Sequence, residues 1–210
     1  INNLNLVKNE VELNNPNTQI IAVSKTFSVS KIKPLINSGH IHFGENKIQE
    51  AMEKWTDIKQ KNKNIKLHFV GKLQTNKVKF ALPLFDYIHS LDNIKLAKKI
   101  STFQKKINFH PKIFIQINIG NENQKSGIQK NDLADFLKLC REDLDLNIIG
   151  LMCIPPNDNN TKKYFEMMKK LKNDYNFTDL SMGMSADYLL ALNYESTFVR
   201  IGSKIFGARG

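Results

Sequence analysis

Short apolar runs alternate along this chain with longer amphipathic stretches. The runs lie at 19–24 (QIIAVS), 40–43 (HIHF), 66–70 (KLHFV), 86–89 (DYIH), 112–119 (KIFIQINI), 147–152 (NIIGLM), 178–181 (TDLS) and 197–201 (TFVRI). Runs of this length read as buried strands. The stretches between them predict helices over 29–38, 46–60, 74–82, 92–106, 130–143, 161–175 and 185–193. Two start signals sharpen the pattern: Ser90 ahead of LDNIKLAKKI, and Asn131–Asp132 ahead of the run that ends near Cys140. The segment from Leu4 to Leu13 predicts one further helix before the first strand.

Eight strands alternating with helices point to parallel strand–helix–strand units, and eight such units close into a barrel. The competing arrangement is an open doubly wound sheet. Its usual mark, a Gly-x-Gly-x-x-Gly turn after the first strand, is absent, because that turn reads SKTFSVS here. A length of 210 residues suits one α/β domain spanning 1–210, and no Gly-, Ser- or Pro-rich linker divides it. The expected fold is a single-domain (β/α)8 TIM barrel with an extra N-terminal helix.

Composition narrows the function classes. The formal net charge is +11, which invites a nucleic-acid reading. Nearly all of that charge is lysine spread over helical stretches such as KIKPLI and KLAKKI, and the arginines are Arg141, Arg200 and Arg209. Arginine makes the phosphate forks and groove contacts of nucleic-acid readers, so no nucleic-acid partner is expected. The densest run, KQKNKNIK, has no interleaved aromatics and reads as a helix end and loop. The surplus charge would still concentrate small anions. No stretch of 18 apolar residues exists, so no membrane span is expected. No secretory signal stands at the start, and since the chain opens on Ile1, residues before it are expected. Cys140 and Cys153 make no disulfide framework and read as reduced core thiols of a cytoplasmic protein.

In a barrel, reactive groups sit on the loops after the strands. Lys25 follows the first strand and falls on that working face. Barrels often bind phosphate with the loops after strands seven and eight, where glycines allow close backbone approach and hydroxyls and a helix start supply donors. MGMS supplies Gly183 and Ser185, which also reads as a helix cap; RIGS supplies Gly202 and Ser203. Arg200 interrupts an apolar strand, either as half of an outward ion pair or as a donor aimed at a ligand. A lysine beside a phosphate site suggests an imine with a phosphorylated aldehyde. Only the neutral amine attacks a carbonyl, and a free lysine is neutral ~0.04% of the time at pH 7, a cost of about 4.6 kcal/mol. Partial burial or a neighbouring cation such as Arg200 would reduce that cost. His40 and His42 share a strand face as metal ligands can, but no third ligand stands near them. Glu45, Glu50 and Glu122 lie near loops with no pairing as acid and base.

The segments IIAVSKT, HFGENKIQE, LHFVGKLQTNK, INIGNENQKSG, GLMCIP, SMGMSADYLLAL and FVRIGSKIFGAR follow one another from about Ile20 to Arg209. In content and order they resemble the pyridoxal phosphate homeostasis protein family. The resemblance implies a barrel of the alanine racemase N-terminal type, with Lys25 holding pyridoxal 5′-phosphate (PLP) as an internal aldimine. It implies that Ser185 and the backbone around Met184 bind the phosphate, and that Gly202 and Ser203 complete the cradle. Arg200 would face the pyridine nitrogen, and Asn46 would lie near the cofactor. Leu192 departs from the isoleucine common at its position, away from the implied site.

The family is described as acting in vitamin B6 homeostasis without a defined catalytic activity. The implied role is to mask a reactive aldehyde and release it, with apo forms of PLP-dependent enzymes as candidate recipients. The alternative is a weak amino-acid racemase. That reaction needs a base on each face of the α-carbon, and the second base in the racemases comes from an added β-domain. The sequence ends just after strand eight, so that domain and its dimer surface are not expected, and the expectation is a non-catalytic monomer. Tyr188 and Tyr194 remain as poor substitutes for the second base.

Overall fold

The computed structural model describes residues 1–122 and 124–207; Asn123 in the INIGNENQKSG segment and Arg209 at the end of the last matching segment lie outside the described residues. The strands are β1 (Gln19–Val23), β2 (His42–Glu45), β3 (Lys66–Phe69), β4 (Tyr87–Leu91), β5 (Lys112–Ile117), β6 (Ile148–Cys153), β7 (Asp179–Met184) and β8 (Phe198–Ile201). They are parallel and form a closed barrel in sequence order. The seam that excludes an open sheet is β1 against β8, in register from Gln19↔Phe198 to Ala22↔Ile201. α1 (Asn2–Asn14) precedes the barrel. Between strands lie α2 (Val29–Asn37), α3 (Ile48–Lys61), α4 (Val78–Ala81), α5 (Ile94–Ile107), α6 (Leu133–Lys138), α7 (Thr161–Asp174) and α8 (Tyr188–Leu192), and α9 (Ser203–Phe206) follows β8.

Two apolar clusters hold this together. The larger fills the space between barrel wall and helices and includes Trp55, Phe85, Ile88, Leu151 and Phe165. The smaller lies inside the barrel and comprises Ile21, Val23, Tyr87, Phe114, Met152 and Phe198. Each fully buried side chain of this size contributes about 1.5–3 kcal/mol before entropy is subtracted.

Several expected boundaries move. β2 begins at His42 rather than His40, because Gly39 (φ 83) and His40 still close the end of α2, with the His40 N–H donating to Leu35 O. β5 stops at Ile117, where Asn118 folds its side chain into the following loop and exchanges hydrogen bonds with Glu122. Ser90 lies inside β4, and Asn93 caps α5 instead, its Oδ1 accepting from Leu96 N at 2.8 Å. The helix expected over 74–82 is a 3-10 turn (Thr75–Lys77) and one α turn, followed by Pro83, which has no N–H to extend the ladder. The helix expected over 130–143 opens as a 3-10 turn and ends as a wide turn in which Leu144 N donates to Leu139 O.

Candidate functional site

Ile21 and Val23 face the barrel interior, and Lys25 follows them in the turn that leaves β1 at the barrel mouth, where it is partly buried. Both neighbours of Lys25 are fastened. Ser24 is fully buried; its Oγ donates to Glu45 Oε1 at 2.8 Å and its carbonyl accepts from Lys54 Nζ at 2.9 Å. Lys54 Nζ also reaches Glu45 and Glu50, each at 2.9 Å, and Trp55 Nε1 donates to Glu45. Glu50 in turn accepts the N–H of Thr26. Thr26 has φ 69, a left-handed conformation that a β-branched residue adopts only when its surroundings impose it. Burial opposes ionisation of Glu50, but the hydrogen bonds from Lys54 and Thr26 outweigh it and hold the carboxyl below its ordinary value.

Asn46 stands beside this turn. The β1–β2 register pairs Ala22 with Phe43 and Val23 with Gly44, so Asn46 directly follows the strand that neighbours the one leading into Lys25. Asn46 Oδ1 is buried and has no hydrogen-bond partner among the described residues. The loop after β3 presses on Asn46 so closely that a Cβ on Gly71 would lie 2.2 Å from its carbonyl oxygen. Only glycine fits there.

The loops after β7 and β8 meet on the other side of Lys25. Gly183 has φ +93, and a Cβ on it would lie 2.7 Å from Ala191 Cβ. The Met184 N–H donates to Asp187 Oδ1 at 2.6 Å. Ser185 does not cap α8, as the sequence suggested. Its hydroxyl accepts instead from the N–H groups of Gly202 (3.3 Å) and Lys204 (3.4 Å), across the gap between the two loops. These bonds are long, so both N–H groups are weakly held. Ser203 opens α9 and is exposed. Gly202 packs against Val23, where a Cβ would lie 3.4 Å from the Val23 carbonyl oxygen, so this turn abuts the strand that carries Lys25.

Arg200 takes the inward choice. It is 5% exposed, pairs in register with Ile21 of β1, and donates through Nη1 to Ser181 Oγ (2.7 Å) and through Nη2 to Cys153 O (2.9 Å). Two of its five N–H groups are thereby committed.

The remaining candidates have structural places. His40 bonds the His42 carbonyl, and the His42 ring turns to His68 at 2.9 Å. The thiols of Cys140 and Cys153 are buried and pushed up to about 12. Tyr188 bonds Glu10 of α1 and Lys204 of α9 through its hydroxyl, and Tyr194 packs against the outer cluster. Sequence reasoning missed the Glu45–Lys54–Glu50 cluster, of which only the helical spacing of Glu50 and Lys54 was legible, and it missed Ser181, His68 and His89.

The family model for the alanine racemase N-terminal domain matches residues 1–210. The pyridoxal phosphate homeostasis protein of Pasteurella multocida (strain Pm70) is 38% identical over 205 residues, covering 91% of this chain and 86% of its own. That of Escherichia coli (strain K12) is 37% identical over 200 residues, covering 90% and 85%. Among solved structures, PipY of Synechococcus elongatus PCC7942 without PLP superposes with a TM-score of 0.90 at 31% identity, covering 98% of this chain and 99% of that one. The same protein with PLP bound gives 0.88 at 30%. Alanine racemase of Clostridium difficile 630 gives 0.77 at 15% identity, covering 56% of that longer chain, which shows the shared fold alone.

Proposed function

The chain belongs to the alanine racemase N-terminal domain family, among its pyridoxal phosphate homeostasis proteins, and from that premise we propose that it binds PLP and buffers it without robust catalysis. The observation that carries the reading is the meeting, on one rim of a closed barrel, of Lys25 with a turn of weakly held N–H groups. The residues fit this cofactor. An amine stands at the strand end, an amide oxygen without a partner among the described residues follows the neighbouring strand on Asn46, and a glycine-lined cradle lies opposite. PLP bound to a solved relative supports the same assignment.

Lys25 holds the aldehyde carbon covalently through its ε-amine. Ser185, Gly202, Ser203 and the backbone at Met184 hold the phosphate; the Met184 N–H is shared with Asp187, so Ser185 and the Gly202 turn are the stronger contacts. Arg200 faces the ring nitrogen. When bound, the cofactor supplies an electron sink whose strength depends on protonation of that nitrogen, and a guanidinium there disfavours the proton. This is the physical reason for expecting a carrier rather than an efficient enzyme. Apo forms of PLP-dependent enzymes are the candidate recipients, in the cytoplasm. Among the described residues no helix is long and apolar enough to cross a membrane.

The test is borohydride reduction of the PLP-loaded protein followed by peptide mass mapping. A pyridoxyl adduct is expected on Lys25, and Lys25→Ala is expected to abolish the visible absorbance of the bound cofactor. An adduct on another lysine, or absorbance that survives the substitution, overturns the reading. Incubation of the same preparation with single-enantiomer amino acids tests the absence of robust catalysis, which turnover above about 1 per second would refute.

A further inference from the structure

Below the rim, inside the barrel, polar side chains from five strands form one continuous line. His42 Nδ1 (β2) lies 2.9 Å from His68 Nε2 (β3), and His68 Nδ1 lies 2.9 Å from His89 Nε2 (β4). His89 Nδ1 lies 2.8 Å from Ser181 Oγ (β7), which accepts from Arg200 Nη1 (β8) at 2.7 Å. His68, His89 and Ser181 are fully buried, and His42 and Arg200 are nearly so. The rings are held flat by stacking, His68 on Tyr87 at 4.1 Å and His89 on Phe114 at 4.4 Å.

Hydrogen counting gives this line a direction. Arg200 can only donate. Ser181 Oγ accepts that donation and has a single hydrogen of its own to give, for which His89 Nδ1 is the acceptor at 2.8 Å. His89 then carries its hydrogen on Nε2 and donates to His68 Nδ1; His68 donates from Nε2 to His42 Nδ1. The reverse order would turn every N–H dipole of the line towards the guanidinium and leave the Ser181 hydrogen without its acceptor. A charged ring would interrupt the line, because an imidazolium donates from both nitrogens. Burial keeps His68 and His89 well below their ordinary values, and Arg200 adds to this at His89.

The direction matters because Arg200 is a buried cation with no carboxylate salt bridge among the described residues. A buried charge requires compensation. Here the Cys153 carbonyl and the negative end of an aligned row of neutral dipoles are its hydrogen-bonded compensation, and the Asp187 carboxylate favours the charge from beyond hydrogen-bond distance. A carboxylate bonded directly to it would compensate more strongly but would also hold the guanidinium in an ion pair and neutralise its field at the mouth.

We propose that His42, His68, His89 and Ser181 are positioning residues for Arg200: a one-way hydrogen-bond line that serves as its neutral counter-charge and leaves its remaining N–H groups and its field for the cofactor ring. The line itself stands without the cofactor; its consequence for the ring rests on the reading of the site given above.

The experiment has two arms. In the apo protein, nitrogen-15 NMR of labelled histidines is expected to show His42, His68 and His89 neutral at pH 7.5 with the hydrogen on Nε2. Ser181→Ala is expected to shift His89 away from that single tautomer, and Ser181→Thr, which keeps the hydroxyl, is expected to retain it. In the PLP-loaded protein, Ser181→Ala and His89→Phe are expected to weaken PLP binding about tenfold, the scale of one hydrogen bond to a charged group, and to shift the visible band of the bound cofactor. His89→Phe keeps a flat ring on Phe114, and its melting curve controls for folding. An Nδ1–H tautomer in any of the three rings, or tautomers indifferent to Ser181→Ala, overturns the line. Unchanged PLP affinity and spectrum in both variants overturns its role. If the wild-type protein binds no PLP while the tautomers are as expected, the reading of the site fails and the line survives as structure alone.

Discussion

At the scale of single residues, the site depends on atoms that are missing as much as on those present. Gly183 lets β7 turn into the loop that carries Ser185 because it has no Cβ and takes φ +93. In Gly183→Ala the new methyl would meet Ala191 Cβ at 2.7 Å and Tyr188 Cα at 3.0 Å, both on α8. The expected cost is about 1–3 kcal/mol of stability, read as a lower melting temperature, with a larger loss of PLP affinity because the displaced loop carries Ser185. Wild-type melting and wild-type affinity together would show that the loop can take another path. The places of Lys25, Ser185 and Gly202 after strands, and of Arg200 within one, were legible in the sequence. The inward direction of Arg200 was not, because a lone cation in a strand reads equally well as an outward ion pair. The role of Ser185 as a bridge rather than a helix cap was also hidden, since it depends on the β8 turn lying alongside.

At the scale of elements, α3 acts as a brace for the loop that carries Lys25. Lys54 reaches from α3 to the Ser24 carbonyl, to Glu45 at the end of β2 and to Glu50 one turn earlier. Glu45 is fully buried and the Lys54 side chain is 7% exposed, so this is a buried pair and not a surface one. Lys54→Met would leave Glu45 without its cation. A loss of about 3–5 kcal/mol is expected in urea unfolding, the scale for breaking one side of a buried pair. The double change Lys54→Met with Glu45→Gln is expected to recover part of it, and a single variant as stable as wild type would mean that the pair is not compensating buried charge. Sequence periodicity found the long helices and every strand, with boundaries shifted by a few residues. It failed where local side-chain bonding overrode the pattern, as at Asn93, which takes the cap expected of Ser90, and at Asn118, which ends β5 early.

At the scale of the whole molecule, closure of the barrel determines how stability responds to acid. His40 and His42 lie near its N-terminal end, and burial, assisted by Lys8 and Lys66 respectively, lowers each to about 4. In the unfolded chain a histidine titrates near 6.5. Between these values the unfolded chain binds more protons than the folded one, so acid favours unfolding. Stability from these two groups is complete above pH ~6.5 and falls as pH drops towards 4, by about 3 kcal/mol for each group. Denaturation midpoints at pH 7.5 and 4.5 should differ accordingly, and His42→Gln should flatten the dependence; equal midpoints would refute the assignment. The eight-fold alternation made the closed fold legible, but no spacing along the chain announces the line of His42, His68 and His89, which depends on the register of β2, β3 and β4, or that His89 reaches Ser181 on β7, which needs the closed cylinder.

The seam between β1 and β8 joins the earliest strand to the latest. During synthesis the lysine leaves the ribosome long before the turn proposed to hold the phosphate, and until β8 zips against β1 the two are not brought together. Under the proposed function, capture of the vitamin would therefore report a finished cylinder, and a nascent or truncated chain that lacks its last strand would bear the lysine yet hold no cargo.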